Sequence, residues 1–262
     1  MIPVDLNCSI SGANDSPVLL LGGSLGTTLD MWDPQVPELS ATHRVIRFEH
    51  RGHGGSPVPT GPYSMDDLGR DVVTMLDRLD LARVSYCGLS IGGMVGQWLA
   101  INAPERIDRL VLLSTTPHMP PASAWHDRAA AVREAGTPEV VADAVVGRWF
   151  TPDYAASHPD IVARYRAMIS GIDAEGYAGC CEAIAGMDLR PGLPSVTAPT
   201  LVIAGNQDPS ITLDHREALA AIPGARLEIL DPGAHLASVE RADAVTTLIA
   251  EHLDGAHAGV SS

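Results

Sequence analysis

The chain lacks any apolar run that reaches the roughly 18 residues a membrane-spanning helix needs. The N-terminus, Met1-Ile2-Pro3-Val4-Asp5, has no basic segment followed by an apolar one, so no secretory signal is expected and cytoplasmic residence is the default. Cysteine is scarce: Cys8, Cys87, Cys180 and Cys181 lack zinc-ligand spacing, and the adjacent pair is poorly placed to bridge itself. Such usage fits a reducing compartment, with each thiol a small buried apolar group and no metal or cofactor expected. Asn7-Cys8-Ser9 and Asn14-Asp15-Ser16 match the glycosylation triplet, but without secretion they are chance matches. Positive charge is the last shortage. Seventeen basic residues face 32 acidic ones, a net charge of −15. No basic stripe exists to neutralise phosphates, so neither nucleic acid nor a membrane is expected as partner. An anionic substrate would be repelled at long range and would need a local cluster of arginines to reverse the field.

What is present fits a globular protein with one large core: 262 residues, 45 % hydrophobic, with 20 prolines. Short β-type runs alternate with helical stretches, the pattern of a mostly parallel sheet covered by helices. The predicted strands are Val18–Leu21, Arg44–Phe48, Val84–Cys87, Leu110–Leu113, Thr200–Ala204 and Arg226–Leu230. Between them, Met65–Leu79 carries apolar residues at spacings of three and four, and Ile91–Ala103 is rich in small and apolar ones. The rhythm breaks from about Pro117 to Pro194, where only helical segments are expected, around 122–135, 139–150, 160–172 and 174–187. This divides the chain into a core, 1–116 and 195–254, and a helical lid, 117–194. Helices at 215–221 and 242–253 complete the core, and the small, polar tail 255–262 is expected to be disordered.

Gly88-Leu89-Ser90-Ile91-Gly92 matches G-x-S-x-G. Alone the match is weak, since about one chain in six of this composition holds one by chance. Its setting is informative, because it joins a predicted strand directly to a predicted helix. A nucleophile on so sharp a turn sits in a strained backbone, and side chains two residues to either side would collide. Glycine at 88 and 92 removes them. The helix N-terminus also places the Ile91 N–H near an oxygen that gains charge in acyl transfer.

A serine needs a base, and the base an orienting carboxylate. Of ten histidines, His235 alone lies in a loop after the last predicted strand, within Asp231-Pro232-Gly233-Ala234-His235. Asp208 follows the strand Thr200–Ala204 through Gly205-Asn206-Gln207, whereas after Leu110–Leu113 the next acid is the distant Asp127. Ser90, Asp208 and His235 are therefore the candidate triad. Gly22-Gly23-Ser24-Leu25-Gly26 follows the first predicted strand, where a second oxyanion donor is expected; the Ser24 N–H is assigned to it, with Leu25 as the alternative. His53, in Arg51-Gly52-His53-Gly54, reads as a structural turn residue, on a different strand end from the base.

At this point the chain resembles a known family. Ser24-Leu25-Gly26-Thr27-Thr28-Leu29-Asp30-Met31-Trp32-Asp33-Pro34-Gln35, Arg51-Gly52-His53-Gly54, Gly88–Gly93, Arg148-Trp149-Phe150 and Gly176–Ile184 are similar to 3-oxoadipate enol-lactonases of the α/β-hydrolase fold. The likeness covers nearly the whole chain. The turn motifs are shared by many α/β hydrolases; the Ser24–Gln35 run and the two lid segments are the specific part. The resemblance implies hydrolysis of 3-oxoadipate enol-lactone, a step of aromatic catabolism. Glu49 stands where many relatives carry Asp, and Gly22-Gly23 replaces the commoner His-Gly. A fused decarboxylase, known among relatives, is not expected. The free carboxylate of the lactone calls for a cation, for which Arg128, Arg133 and Arg148 are candidates, and Trp125, Trp149 and Leu25 for apolar lining. Other ester hydrolysis on the same triad, as in arylesterases or perhydrolases, is the nearest alternative; a non-catalytic ligand-binding protein is the alternative of another class. Oligomeric state is not legible.

Overall fold

The central strands form because their residues are largely apolar where helices cover both sheet faces, which removes the usual alternation of buried and exposed positions that the edge strand at Arg226–Leu230 keeps. In this computed structural model, which describes residues 1–255, they are β1 (Cys8–Ser11), β2 (Val18–Gly22), β3 (Arg44–Phe48), β4 (Val84–Leu89), β5 (Ile107–Leu113), β6 (Thr200–Gly205) and β7 (Arg226–Leu230). Every residue of β4 and β6 is buried. The sheet order is β1-β3-β2-β4-β5-β6-β7, parallel throughout except for β1, which runs antiparallel to β3 with Cys8 opposite Phe48. β1 is absent from the sequence reading: it is a four-residue edge strand with no fully buried residue, so it carries no hydrophobic signal.

The helices are α1 (Val36–Leu39), α2 (Met65–Arg78), α3 (Ile91–Asn102), α4 (Ala122–Ala135), α5 (Glu139–Trp149), α6 (Pro152–Ser157), α7 (Pro159–Ser170), α8 (Ala174–Ala185), α9 (Leu213–Ala218), α10 (Ala237–Glu240) and α11 (Ala242–Leu253). A capping box starts α2: Ser64 Oγ accepts from the Asp67 N–H at 3.2 Å, and Asp67 Oδ2 accepts from the Ser64 N–H at 2.9 Å. Helices α4 to α8 lie between β5 and β6 in the chain, with no strand among them. The short α6, begun by Pro152 and capped by Thr151, was not expected from the sequence. Of the tail expected to be disordered, residues 256–262 lie outside the described residues, while Gly255 is a turn residue beside Arg109. Among the described residues no helix is long and apolar enough to cross a membrane.

Topology fixes where a site belongs. From β2 the chain steps to β3 on one side, returns to β4 on the other, and then proceeds outward through β5, β6 and β7. The crevice at the carboxyl ends of β2 and β4 is thus the switch point at which open parallel sheets bind ligands. The helical insertion is seated against this rim. A Cβ on Gly52 would lie 2.2 Å from Gly176 Cα, so the turn after β3 and the start of α8 pack backbone to backbone.

Candidate active site

Ser90 stands between β4 and α3 with φ 56° and ψ −117°, a conformation that costs a non-glycine residue about 1–3 kcal/mol and persists only when its surroundings enforce it. They do so through the Ser90 N–H, which donates to Leu113 O at 3.0 Å, and through Ser90 O, which accepts from Thr115 Oγ1 at 2.8 Å. The flanking glycines are obligatory. A Cβ on Gly88 would sit 2.2 Å from Gly92 O, and one on Gly92 would sit 2.3 Å from Gly22 O.

Asp208 and His235 come from the ends of β6 and β7, and their loops are locked together by Gln207 N–H donating to Gly233 O at 2.8 Å. His235 Nδ1 donates to Asp208 Oδ2 at 2.8 Å, while Asp208 Oδ1 accepts from the N–H groups of Ser210 at 2.8 Å and Ile211 at 3.2 Å. Burial pushes the Asp208 carboxyl up, but the charge of His235, its hydrogen bond and the two backbone donors outweigh this and hold it below the ordinary carboxylate range. Ser90 and His235 open onto one cavity of about 220 Å³. Among the described residues their side chains are not hydrogen-bonded to each other; such contacts are commonly long before substrate enters and tighten in the complex.

The loop after β2 corrects one expectation. The Ser24 N–H, assigned as second oxyanion donor, faces Met31 Sδ at 3.5 Å. A turn closed by Thr27 N–H on Ser24 O at 3.1 Å, with Gly26 at φ 85°, then presents the next residue, and the Leu25 N–H has no partner among the described residues. Both Ser24 and Leu25 line the cavity. Glu49 is no alternative acid: its oxygens accept from Leu29 N–H at 3.2 Å, Gly55 N–H at 2.7 Å and Asn7 Nδ2 at 2.7 Å.

Of the three candidate arginines, Arg128 and Arg148 line the cavity, together with Trp125 and Trp149. Arg128 stacks on Trp125, its guanidinium carbon 4.5 Å from the ring centroid. Neither arginine has a carboxylate at ion-pair distance among the described residues, and Arg148 is lowered by burial and then by the charge of Arg128. Two cations thus share a half-buried wall in a protein of net charge −15. Arg133 does not join them. Its guanidinium is bound by Glu175 (Nε to Oε2, 2.7 Å) and Glu182 (Nη2 to Oε2, 2.8 Å), tying α4 to α8. The sequence reading missed Tyr177, which is fully buried in the cavity wall with its hydroxyl beside Arg128. It also missed Met94 and Met119 in the apolar lining. Among the described residues no three His, Cys, Asp or Glu side chains converge as a metal cage would require.

With this geometry in view, the comparisons with known proteins are direct. The family model for the alpha/beta hydrolase fold matches residues 16–242. The chain is 42 % identical over 243 residues to 3-oxoadipate enol-lactonase 2 of Acinetobacter baylyi, covering 92 % of this chain and 90 % of that protein. The chain belongs to the 3-oxoadipate enol-lactonase family of α/β hydrolases. It is also 32 % identical to enol-lactonase 1 of the same organism, over 90 % of this chain and 88 % of the relative. The crystal structure of the enol-lactonase from Burkholderia xenovorans LB400 superposes with a TM-score of 0.93 at 42 % identity, covering 96 % of this chain and 97 % of that one. Membership makes the chain a carboxylic-ester hydrolase.

In this α/β hydrolase the loop carrying His235 is tied to the helical insertion directly on one side and, on the other, through Glu240 of α10. The Leu236 N–H donates to Trp149 O at 2.9 Å, and the Ala234 N–H donates to Glu240 Oε2 at 3.2 Å. Glu240 also accepts from the Thr151 hydroxyl and from the Thr151 N–H at 3.3 Å. Replacing Glu240 by Leu strands these donors. It is expected to lower the unfolding free energy by about 1–3 kcal/mol in urea denaturation; an unchanged midpoint would show that the tether carries no load.

Proposed function

We propose that the chain hydrolyses 3-oxoadipate enol-lactone to 3-oxoadipate through an acyl-enzyme on Ser90, with residues 117–194 acting as a cap over a core of 1–116 and 195–254. The observation that carries this reading is the pair Arg128 and Arg148, without carboxylate partners among the described residues, in the same cavity as Ser90 and His235. Two like charges on a half-buried wall, with no carboxylate at ion-pair distance among the described residues, favour a ligand that brings an anion. The relatives named as enol-lactonases support the choice of a lactone that keeps one free carboxylate.

The steps follow from the residues. His235 Nε2 takes the Ser90 proton as Oγ attacks the lactone carbonyl, and Asp208 holds the imidazole in the tautomer that leaves Nε2 free to accept. The N–H groups of Ile91 and Leu25 receive the tetrahedral oxyanion; one such donor is worth about 3 kcal/mol in the transition state. Collapse breaks the ring C–O bond and expels an enolate, a stable leaving group, which takes the proton from His235 and tautomerises to the ketone. Water, deprotonated by His235, then attacks the acyl-enzyme and releases the second carboxylate with Ser90 restored.

The test is the loss of enol-lactone ultraviolet absorbance, measured beside hydrolysis of p-nitrophenyl acetate. Efficient turnover of the neutral ester with no loss of lactone would transfer the chain to the arylesterases. Arg148→Gln is expected to raise KM for the lactone by about 10- to 100-fold, the worth of a hydrogen bond to a charged group. The same change should leave KM for p-nitrophenyl acetate within about twofold. An equal effect on both substrates would remove Arg148 from carboxylate recognition.

A further inference from the structure

Two histidines outside the triad are buried against the loop that carries the Leu25 N–H. His50 and His53 stand in the turn after β3, 3 % and 0 % exposed, with ring centroids 6.3 Å apart and edge to face. Each makes one hydrogen bond to the loop, and the two bonds run in opposite senses. His50 Nε2 faces Gly23 O at 3.1 Å, whereas the Gly26 N–H donates to His53 Nε2 at 3.0 Å. A carbonyl only accepts and a backbone N–H only donates, so the partners dictate the tautomers. His50 carries its proton on Nε2. His53 carries its proton on Nδ1, which faces Arg51 O at 3.3 Å.

We propose that His50 and His53 are positioning residues of the oxyanion hole: as neutral imidazoles of opposite tautomer they grip the loop before and after Leu25 and fix its N–H for the oxyanion formed at Ser90. The inference rests on the reading of Ser90 as nucleophile and Leu25 as donor. Neither imidazole lines the cavity, so neither exchanges protons with substrate. Burial lowers His50 to about 4, and burial with the neighbouring His50 lowers His53 to about 3, which keeps both neutral near pH 7. A second proton on His53 would set an N–H against the Gly26 N–H. The turn that bears them has independent anchors. Arg51 forms a buried bidentate pair with Asp71, both bonds 2.6 Å, and Glu49 gathers the donors of Leu29, Gly55 and Asn7. Removing one imidazole should therefore displace the loop without unfolding the turn, and a displacement near 1 Å at a catalytic group is worth up to about 100-fold in rate.

The test uses p-nitrophenyl acetate, which needs no cation in the cap, so its outcome is independent of the lactone reading. His53→Leu is expected to lower kcat about tenfold or more with KM within about twofold. It should weaken inhibition by an alkylboronic acid, whose tetrahedral adduct on Ser90 mimics the oxyanion, by the same factor. His53→Gln, whose amide oxygen can accept from the Gly26 N–H, should regain most of both. An unchanged kcat, a fall in kcat with boronate affinity intact, or a glutamine variant no better than leucine would overturn the proposal. His50→Leu, read in the same two ways, decides the matter if His53→Leu does not fold. Failure of both leucine variants to fold would also overturn it, by assigning the bonds to stability. A wild-type protein inert to both ester and boronate would instead defeat the reading of Ser90 and this inference with it.

Discussion

Ser90→Ala is expected to lower kcat by about 10⁵- to 10⁶-fold, leaving the residual rate that oxyanion donors and binding supply without a nucleophile. The cavity and its charges are untouched, so KM or product affinity should change little. The backbone makes a second, separable prediction. Alanine at φ 56° has the same Cβ conflict as serine, so Ser90→Ala retains the strain and its melting temperature should stay close to that of the wild type. Ser90→Gly removes the conflict. It should be as inactive as the alanine variant yet more stable by about 1–3 kcal/mol, the cost of holding a non-glycine residue there. Thermal unfolding of both variants beside a lactone assay reads the two effects together. Alanine activity within tenfold of wild type would remove Ser90 from the reaction, and a glycine variant less stable than alanine would show that the turn is not strained.

How much of this site the sequence disclosed depends on what each group answers to. Ser90, Asp208 and His235 each sit at a strand end, and strand ends are marked by apolar runs stopping at glycine or proline, so their places were legible. Leu25 against Ser24 was not. What turns the choice toward Leu25 is the Ser24 N–H facing Met31, seven residues beyond it, and the positive φ of Gly26, neither of which shows in a local pattern. The arginines divide in the same way. Arg128 and Arg133 are five residues apart on α4 and point about 140° from each other, so both could not face one cavity. Only the packing of α4 against α8 decides which one does. One signal was available: Glu175 and Glu182 are seven residues apart, on one stripe of α8, and together they bracket a single cation. Tyr177 shares that helix with small residues, and its place beside Arg128 is a property of the assembled wall alone. β1 was invisible because a four-residue edge strand of half-buried residues has no apolar period to read.

Asp208→Asn tests the part of the site that the fold holds most tightly. Oδ1 accepts two backbone N–H groups, at 2.8 and 3.2 Å, and in the variant only the amide oxygen can occupy that position. The amide NH₂ must then face His235 Nδ1, from which the carboxylate had accepted a hydrogen bond at 2.8 Å. Donor against donor is avoided only if the imidazole moves its proton to Nε2, and Nε2–H cannot accept from Ser90. The geometry survives while the base is in the wrong tautomer, so kcat is expected to fall by about 10⁴-fold with KM nearly unchanged. The substitution also alters acid stability. Asp208 is depressed in the folded state, so its contribution is complete above the unfolded value near 3.9 and is lost as pH falls through the lower folded one. The variant lacks this share, and its unfolding free energy should decline less steeply than that of the wild type below about pH 4. Urea denaturation at pH 7 and pH 3, beside the kinetic assay, measures both. A variant that keeps more than a tenth of wild-type kcat would show that the orientation of His235 does not depend on Asp208.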